Sequence, residues 1–278
     1  MITTLKTWTE TTKKTLTNLR ALGIFVALYA LLLVSLYIFI STHEATVWQV
    51  LVTYVFLILL PLEFSVLQAA ILNGARGRRF HGKQILVDAI KIAIATIPVI
   101  LIAWLFWYLL DKVQVRFPAA VSSATFGATP KFQPIHWPAV LFSTLRFLMF
   151  GIAFPLMSIR LWIEVTASEV RSLFTGGARA VLNRLGNVLG RAFATDSVLI
   201  YGIGLILVVL LPYLILLLKV SVKGNKTEFI VFIAQLLLAF VVALFGWVVT
   251  VSALARLDNQ TFIATVSPGP AMPVEVPA

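Results

Sequence analysis

Cysteine is missing from this sequence, histidine occurs three times, and basic residues outnumber acidic ones 22 to 11. Without a thiol the chain holds no disulfide, thiolate-bound metal, iron–sulfur cluster or cysteine nucleophile. His43, His81 and His136 all lie outside or at the edge of the apolar runs, so a membrane haem gripped by two histidines at matched depth is excluded. No H-E-x-x-H, G-x-S-x-G or Walker A pattern occurs, and Gly176-Gly177 leads into a helical pattern instead of a phosphate cradle. The expectation is a protein that is not an enzyme, with no catalytic residue and no metal site.

What fills the chain instead is apolar. Of 278 residues 60% are hydrophobic and 12% charged, with a mean hydropathy of +0.99. Soluble domains reach about half apolar residues even with glycine included. A bilayer core about 30 Å thick takes about 20 apolar helical residues. Six segments satisfy this: 21–42, 46–72, 92–110, 137–159, 197–218 and 229–255. The fold class expected is all-α, a polytopic integral membrane protein. A leader of residues 1–20 precedes the spans, and the first span reads as an uncleaved anchor because it outruns a signal-peptide core. The net charge of +11 would suggest nucleic acid in a soluble protein. Here it is assigned to anionic lipid headgroups, and no nucleic-acid partner is expected.

Basic residues fall mainly into alternate gaps. The leader, the second and fourth gaps and the end of the last span together hold 15, among them Arg76, Arg78, Arg79, Arg160, Arg179, Arg184 and Arg191. The opposite gaps hold six, and Arg146 lies within a span. The excess of Lys and Arg on cytoplasmic loops predicts both termini inside, in a bacterial inner membrane. Trp48, Trp104, Trp107, Tyr108 and Trp137 fall near outer ends and Trp162 and Trp247 near inner ends, as interfacial belts do.

Two segments read as helices lying on the membrane. In 178–194, Val181, Leu182, Leu185, Val188, Leu189 and Ala192 share one face and Arg179, Arg184 and Arg191 occupy much of the other. A weaker version in the leader carries Leu5, Trp8, Leu16 and Leu19. Arg76, Arg78, Arg79, Arg179, Arg184 and Arg191 are the candidate lipid-headgroup contacts.

Internal similarity adds a possible parallel repeat. Pro61-Leu62 in span two matches Pro155-Leu156 in span four, and Gly74-Ala75-Arg76 matches Gly177-Ala178-Arg179 after them. Each unit reads as span, amphipathic element, span. The run LQAAILNGARGRRF, a span, then WIEVTASEVRSLFTGGARAVLNRLGNVLGRAF and another span resembles six-span bacterial membrane families related to the membrane domain attached to glycerophosphodiester phosphodiesterases. The resemblance covers about Leu59 to Leu218. It implies an all-helical membrane module with no defined activity, and no hydrolase chemistry carries over.

Charges inside spans cost about 2.5 to 3.5 kcal/mol on insertion scales and mark either function or a buried pair. Glu63 and Arg146 qualify. At 1.5 Å per residue Arg146 lies about 14 Å below Trp137 and Glu63 about 22 Å below Trp48, a depth difference of about 8 Å, which leaves Gln235 as an alternative partner for Arg146. A proton or ion path would use Glu63 as carrier and Arg146 as fixed cation; a structural interhelical bond is the plainer reading. His136 beside Trp137 has the single nitrogen that an axial ligand to a chlorophyll-type pigment requires.

Pro61, Pro98, Pro155 and Pro212 interrupt spans, which membrane helices tolerate. Gly202, Gly204, Ala239 and Ala243 permit close helix contact. Residues 257–278, with Pro268, Pro270, Pro273 and Pro277, are expected to be an extended tail. Three functions stay open: a non-catalytic accessory or scaffold subunit of a larger membrane complex, bound to other membrane subunits and lipids; a small transporter component using Glu63 and Arg146; and a pigment-binding subunit. The cysteine-free background makes the orientation testable. An impermeant maleimide on spheroplasts is expected to label Thr129→Cys and to spare Thr4→Cys until the membrane is opened, and the reverse pattern inverts the orientation.

Overall fold

The computed structural model describes residues 2–42, 46–78, 80–117, 137–167, 186, 190–218 and 224–266, and every regular element among them is helical. An amphipathic helix α1 (Ile2–Thr17) turns into α2 (Leu19–Ser41), followed by α3 (Val47–Ala75) and α4 (Gly82–Gln114). The fourth span joins α5 (Trp137–Arg146) through a π-helical stretch, Phe147–Ala153, to α6 (Phe154–Ala167). The fifth joins α7 (Thr195–Leu205) through a second, Ile206–Leu210, to α8 (Leu211–Leu217), and α9 (Asn225–Val266) closes the chain. Six helices are long and apolar enough to cross a membrane, and the protein is a multi-pass all-α membrane protein.

The two wide turns have a visible cause. Pro155 and Pro212 follow directly on them, and a proline ring collides with the carbonyl four residues back while offering no N–H to it. The helix widens, and Phe154 and Leu211 donate instead to carbonyls five residues back, Met149 and Ile206. Gly151 is the carbonyl Pro155 leaves without its α-helical donor, and the Tyr201 hydroxyl of α7 donates to it at 2.9 Å. Pro61 and Pro98 sit within unbroken α-helix, so the Pro61/Pro155 match does not extend to backbone geometry.

Several expected boundaries move. The third span begins at Gly82, not at 92, so the second connection is the short turn after Arg76 and no separate amphipathic element follows span two. The parallel repeat therefore lacks that element in its first unit. Helix α9 runs to Val266 instead of giving way to an extended tail at 257, because the first proline, Pro268, lies beyond it. Of the predicted interfacial helix 178–194, only 186 and 190–194 are described, and 190–192 are helical.

The leader helix is present, and its expected apolar stripe divides: Trp8 turns to the bundle and the leucines turn away from it. Thr7 and Thr11 are buried and Trp8 is half-buried against the bundle, while Leu5, Leu16 and Leu19 point outward. Thr11, Thr12 and Thr15 turn their hydroxyls back onto the carbonyls of Thr7, Trp8 and Thr11 at 2.7, 3.0 and 2.9 Å, so these three hydroxyls meet the bundle already paired. Outward leucines suit a helix lying at a lipid interface.

Packing is concentrated at one end. The core consists of the start of α2 (Ala21, Phe25), the last turns of α3 (Leu67 to Leu72), the first turns of α4 (Ala89, Ile92), the end of α6 (Leu156, Ile159, Trp162, Ile163) and the matching stretch of α9 (Leu244 to Ala255). All of these lie at the end that carries α1 and most of the arginines, called here the basic end. Small residues set the closest approach: a Cβ on Gly246 of α9 would come within 2.8 Å of the Leu207 side chain and 3.2 Å of its backbone carbon. Gly204 likewise faces Thr250, whereas Gly202 meets nothing within 4 Å. Gly246→Val is expected to cost about 1 to 3 kcal/mol and lower the thermal midpoint in detergent. Gly202→Ala is expected to stay within about 0.5 kcal/mol of the parent, measured the same way.

Candidate functional site

A polar layer lies inside the basic end. Asp88 on α4 is fully buried. The Asn73 amide of α3 donates to Asp88 Oδ2 at 3.0 Å and to the Ala69 carbonyl at 3.0 Å. Gln84, one turn before Asp88, donates to the same carboxylate at 3.2 Å, and Lys91 stands 3.5 Å away. Gln84, Asp88 and Lys91 recur at helical spacing, so α4 presents one polar stripe to the α3 terminus. A carboxylate at this depth is held by one cation and two amides, which is what makes its burial tolerable.

Two arginines extend the layer. Arg76, just past the end of α3, sends Nη2 to the Ile163 carbonyl of α6 at 2.7 Å. Burial lowers its pKa, and Arg78 lowers it further, while Asp88, Asp258 and Glu164 pull it back up. A guanidinium stays protonated under any such shift in water, so Arg76 is a fixed positive charge. Arg160 of α6 is buried and reaches Ser197 at the start of α7, the Leu254 carbonyl of α9 at 3.4 Å and Asp258 Oδ1 at 3.4 Å. Asp258 also pairs with Arg191 at 3.4 Å, and Arg191 stands 3.8 Å from Glu164. One guanidinium thus ties three spans together.

Two tryptophans assigned to the inner aromatic belt belong to this core. Trp162 is buried, and its indole N–H donates to Thr96 of α4 at 2.8 Å. Trp247 of α9 donates to Gln68 of α3 at 3.0 Å, and Gln68 is fully buried. Trp48, Trp104, Trp107, Tyr108 and Trp137, at the other end, are exposed.

The intramembrane charges picked from the sequence are kept apart. Glu63 Oε1 accepts from Ser35 of α2 at 2.9 Å, and its Oε2 has no hydrogen-bond partner among the described residues. Arg146 is not a midplane charge. Its long side chain runs toward the far end, pairs with Asp111 of α4 at 3.4 Å and lies 4.6 Å over the Trp107 ring. Gln235 is not its partner either; its amide donates to the Leu218 carbonyl, an orphan at the end of α8, at 2.7 Å. The carrier-and-cation arrangement therefore has no geometry behind it. Arg79, Arg179, Arg184 and His136 lie outside the described residues. No group of three or more His, Asp or Glu side chains suited to a metal occurs among the described residues.

Composition and charge counting do not single out Asp88, Asn73 or Gln68, and they place Arg160 in a connection between spans. The α4 stripe was detectable, because Gln84, Asp88 and Lys91 fall three and four residues apart just before an apolar run. Arg160 carried no such signal, since its partners on α7 and α9 are remote in sequence.

Magnitudes separate the two ends. Asp111 is 62% exposed, and such pairs contribute about 0 to 1 kcal/mol. Removing one member of a buried pair costs about 3 to 5 kcal/mol. Asp88→Ala is accordingly expected to lower the thermal midpoint strongly and Asp111→Ala barely, measured in the same detergent, with Asp88→Asn between them because it keeps the amide contacts.

Searches of protein-family models, curated proteins and solved structures found no match to this chain, so the resemblance over Leu59 to Leu218 stays an expectation from the sequence.

Proposed function

We propose that this protein is a non-catalytic accessory or scaffold subunit of a larger membrane complex. One observation carries the reading: buried packing is concentrated at the basic end, and the far halves of the spans keep many large apolar side chains unburied. Among the described residues the far halves bury little beyond Ser35, Val99, Leu110, Phe142 and Ala239. Leu101, Leu105, Leu141, Leu237 and Val241 all remain exposed there. Lipid tails are as apolar as leucine, so helices in a bilayer stay apart unless small residues or polar links draw them together. The far halves have few such links, which leaves them as surfaces for the spans of another subunit.

The reading places the basic end in the cytoplasm of a bacterial cell and the partners within the plane of the membrane. Its support is a stable anchor at one end and open helix faces at the other, which suits a protein that holds others in position. A transporter built on Glu63 and Arg146 has less behind it, since each of those side chains has its own separate contact.

Photo-crosslinkers placed at Leu101, Leu141 and Leu237 test this in intact membranes. The expected result is a discrete protein adduct of one mass from the far-half positions, and none from Leu72 or Ile159 in the core. Adducts to lipid alone at every position, with a monomer purifying by itself in mild detergent, would overturn the proposal.

A further inference from the structure

The corner between α1 and α2 meets the turn between α3 and α4 at the basic end, and a cleft of about 450 Å³ opens there. Its walls are Asn18, Arg20, Gly77, Arg78, Phe80 and His81. We propose that this cleft binds a phosphate group, and specifically the phosphate of an anionic phospholipid headgroup.

Four features point to an anion. First, Arg20 and Arg78 are both exposed in the cleft, and neither has a carboxylate within ion-pair distance among the described residues. Second, two helix N-termini converge on it: Asn18 caps α2, and His81 occupies the cap position of α4. Each N-terminus carries about half a positive charge from its peptide dipoles. Asn18 Oδ1 accepts from the Ala21 N–H at 3.2 Å, whereas no side chain caps the first turn of α4. Third, Arg78 adds to the positive charge around Arg76, whose pKa is lowered first by burial and then by Arg78.

The fourth feature is rigidity. Gly77 takes φ +69°, a left-handed conformation that a side chain would strain. Its N–H donates to the Gly74 carbonyl and the Arg78 N–H to the Asn73 carbonyl, both at 3.1 Å, which is the Schellman ending of a helix. Asn73 is itself held by Asp88. Arg78 is therefore presented from a fixed backbone anchored in the buried polar layer. Phe80 is set edge-on to Phe25 of α2, with ring centroids 6.1 Å apart, and locks the turn against the first span.

The source of the phosphate follows from position. The cleft opens at the beginnings of two spans, the depth of a headgroup. Leu16 and Leu19 beside it are exposed, 52% and 75%, on the face of the corner that offers apolar surface to acyl chains. A second, smaller opening shares Asn18 and is lined by Lys14 and Arg256, which adds positive charge behind the first. A free phosphate would need the arginines alone; a phospholipid uses the leucines as well.

Native mass spectrometry of the full chain in neutral detergent, with phosphatidylglycerol, phosphatidylcholine or inorganic phosphate as probe, tests the proposal. The wild-type chain is expected to retain phosphatidylglycerol in preference to phosphatidylcholine. Arg20→Gln with Arg78→Gln is expected to weaken that retention about 30-fold, on the basis of about 1 kcal/mol for each basic group at a membrane surface. Arg20→Lys with Arg78→Lys keeps both charges and is expected to recover most of the binding, which separates loss of the site from loss of the fold. Lys112→Gln with Arg116→Gln at the far end is expected to leave it unchanged. Equal retention by the glutamine variant, or equal retention of the two lipids, would overturn the site. Arginine-dependent binding of inorganic phosphate that displaces the lipid at equal concentration would overturn the lipid as its source.

Discussion

Inside a bilayer there is no water to satisfy a polar group, and there is no hydrophobic difference between a leucine facing lipid and one facing another helix. Those two facts together leave interhelical polar contacts and close packing of small residues as the forces that hold a bundle of this kind. In this protein such contacts are gathered at one end: Asn73 with Asp88, Arg76 with the Ile163 carbonyl, Arg160 with Ser197 and Asp258, Trp162 with Thr96, and Trp247 with Gln68. Each joins two different spans. An interhelical hydrogen bond in a membrane averages about 0.6 kcal/mol, so no single one decides the fold, but leaving Asp88 or Arg160 unpaired costs several times as much. The layer acts more as a condition on which arrangement is allowed than as a sum of attractions.

From this follows the gradient along the membrane normal. At the basic end α3 and α9 lie at the centre, bonded through Gln68 and Trp247, and the ends of α1, α2, α4, α6 and α7 close around them. Toward the far end the polar contacts thin to Ser35 with Glu63, Arg146 with Asp111 and Gln235 with the Leu218 carbonyl, and large apolar side chains turn outward. The proline-driven π turns lie in the fourth and fifth spans, where a freed carbonyl at Gly151 is taken up by Tyr201. A rigid end that bears the charges and an open end that bears the apolar surface is the arrangement on which the proposed scaffold role depends. The phosphate cleft belongs to the rigid end, and its Arg78 is fixed through Asn73 by the same layer.

Spans were legible in the sequence because apolar length and charge at the ends are local properties. Their limits were less so. Lys83 and Lys91 precede the apolar run 92–110, yet helix α4 includes both, since a helix is free to continue past the hydrocarbon edge with charged side chains as long as no proline stops it. The same reasoning applies to α9, which passes Leu257 and continues to Val266. In the leader the leucines of the apolar stripe face away from the bundle, while Trp8 faces it beside Thr7 and Thr11. Threonines closing their own hydroxyls onto the helix backbone fit a close helix contact, and a rule that counts only leucine and tryptophan misses them.

By itself the sequence determined membrane character, six helices long and apolar enough to cross, the collection of basic residues at alternate connections and the absence of thiol chemistry. All of these depend on composition and on spacing within one segment. Tertiary structure decided which polar groups meet. Glu63 and Arg146 attracted notice as charges inside spans, yet they find Ser35 and Asp111, while Arg160, unremarkable in its own segment, gathers partners from residues 197, 254 and 258. Pairing of that kind depends on the rotation of each helix about its axis and its depth against its neighbours. Neither is a property of any one segment, so only the assembled bundle reveals it.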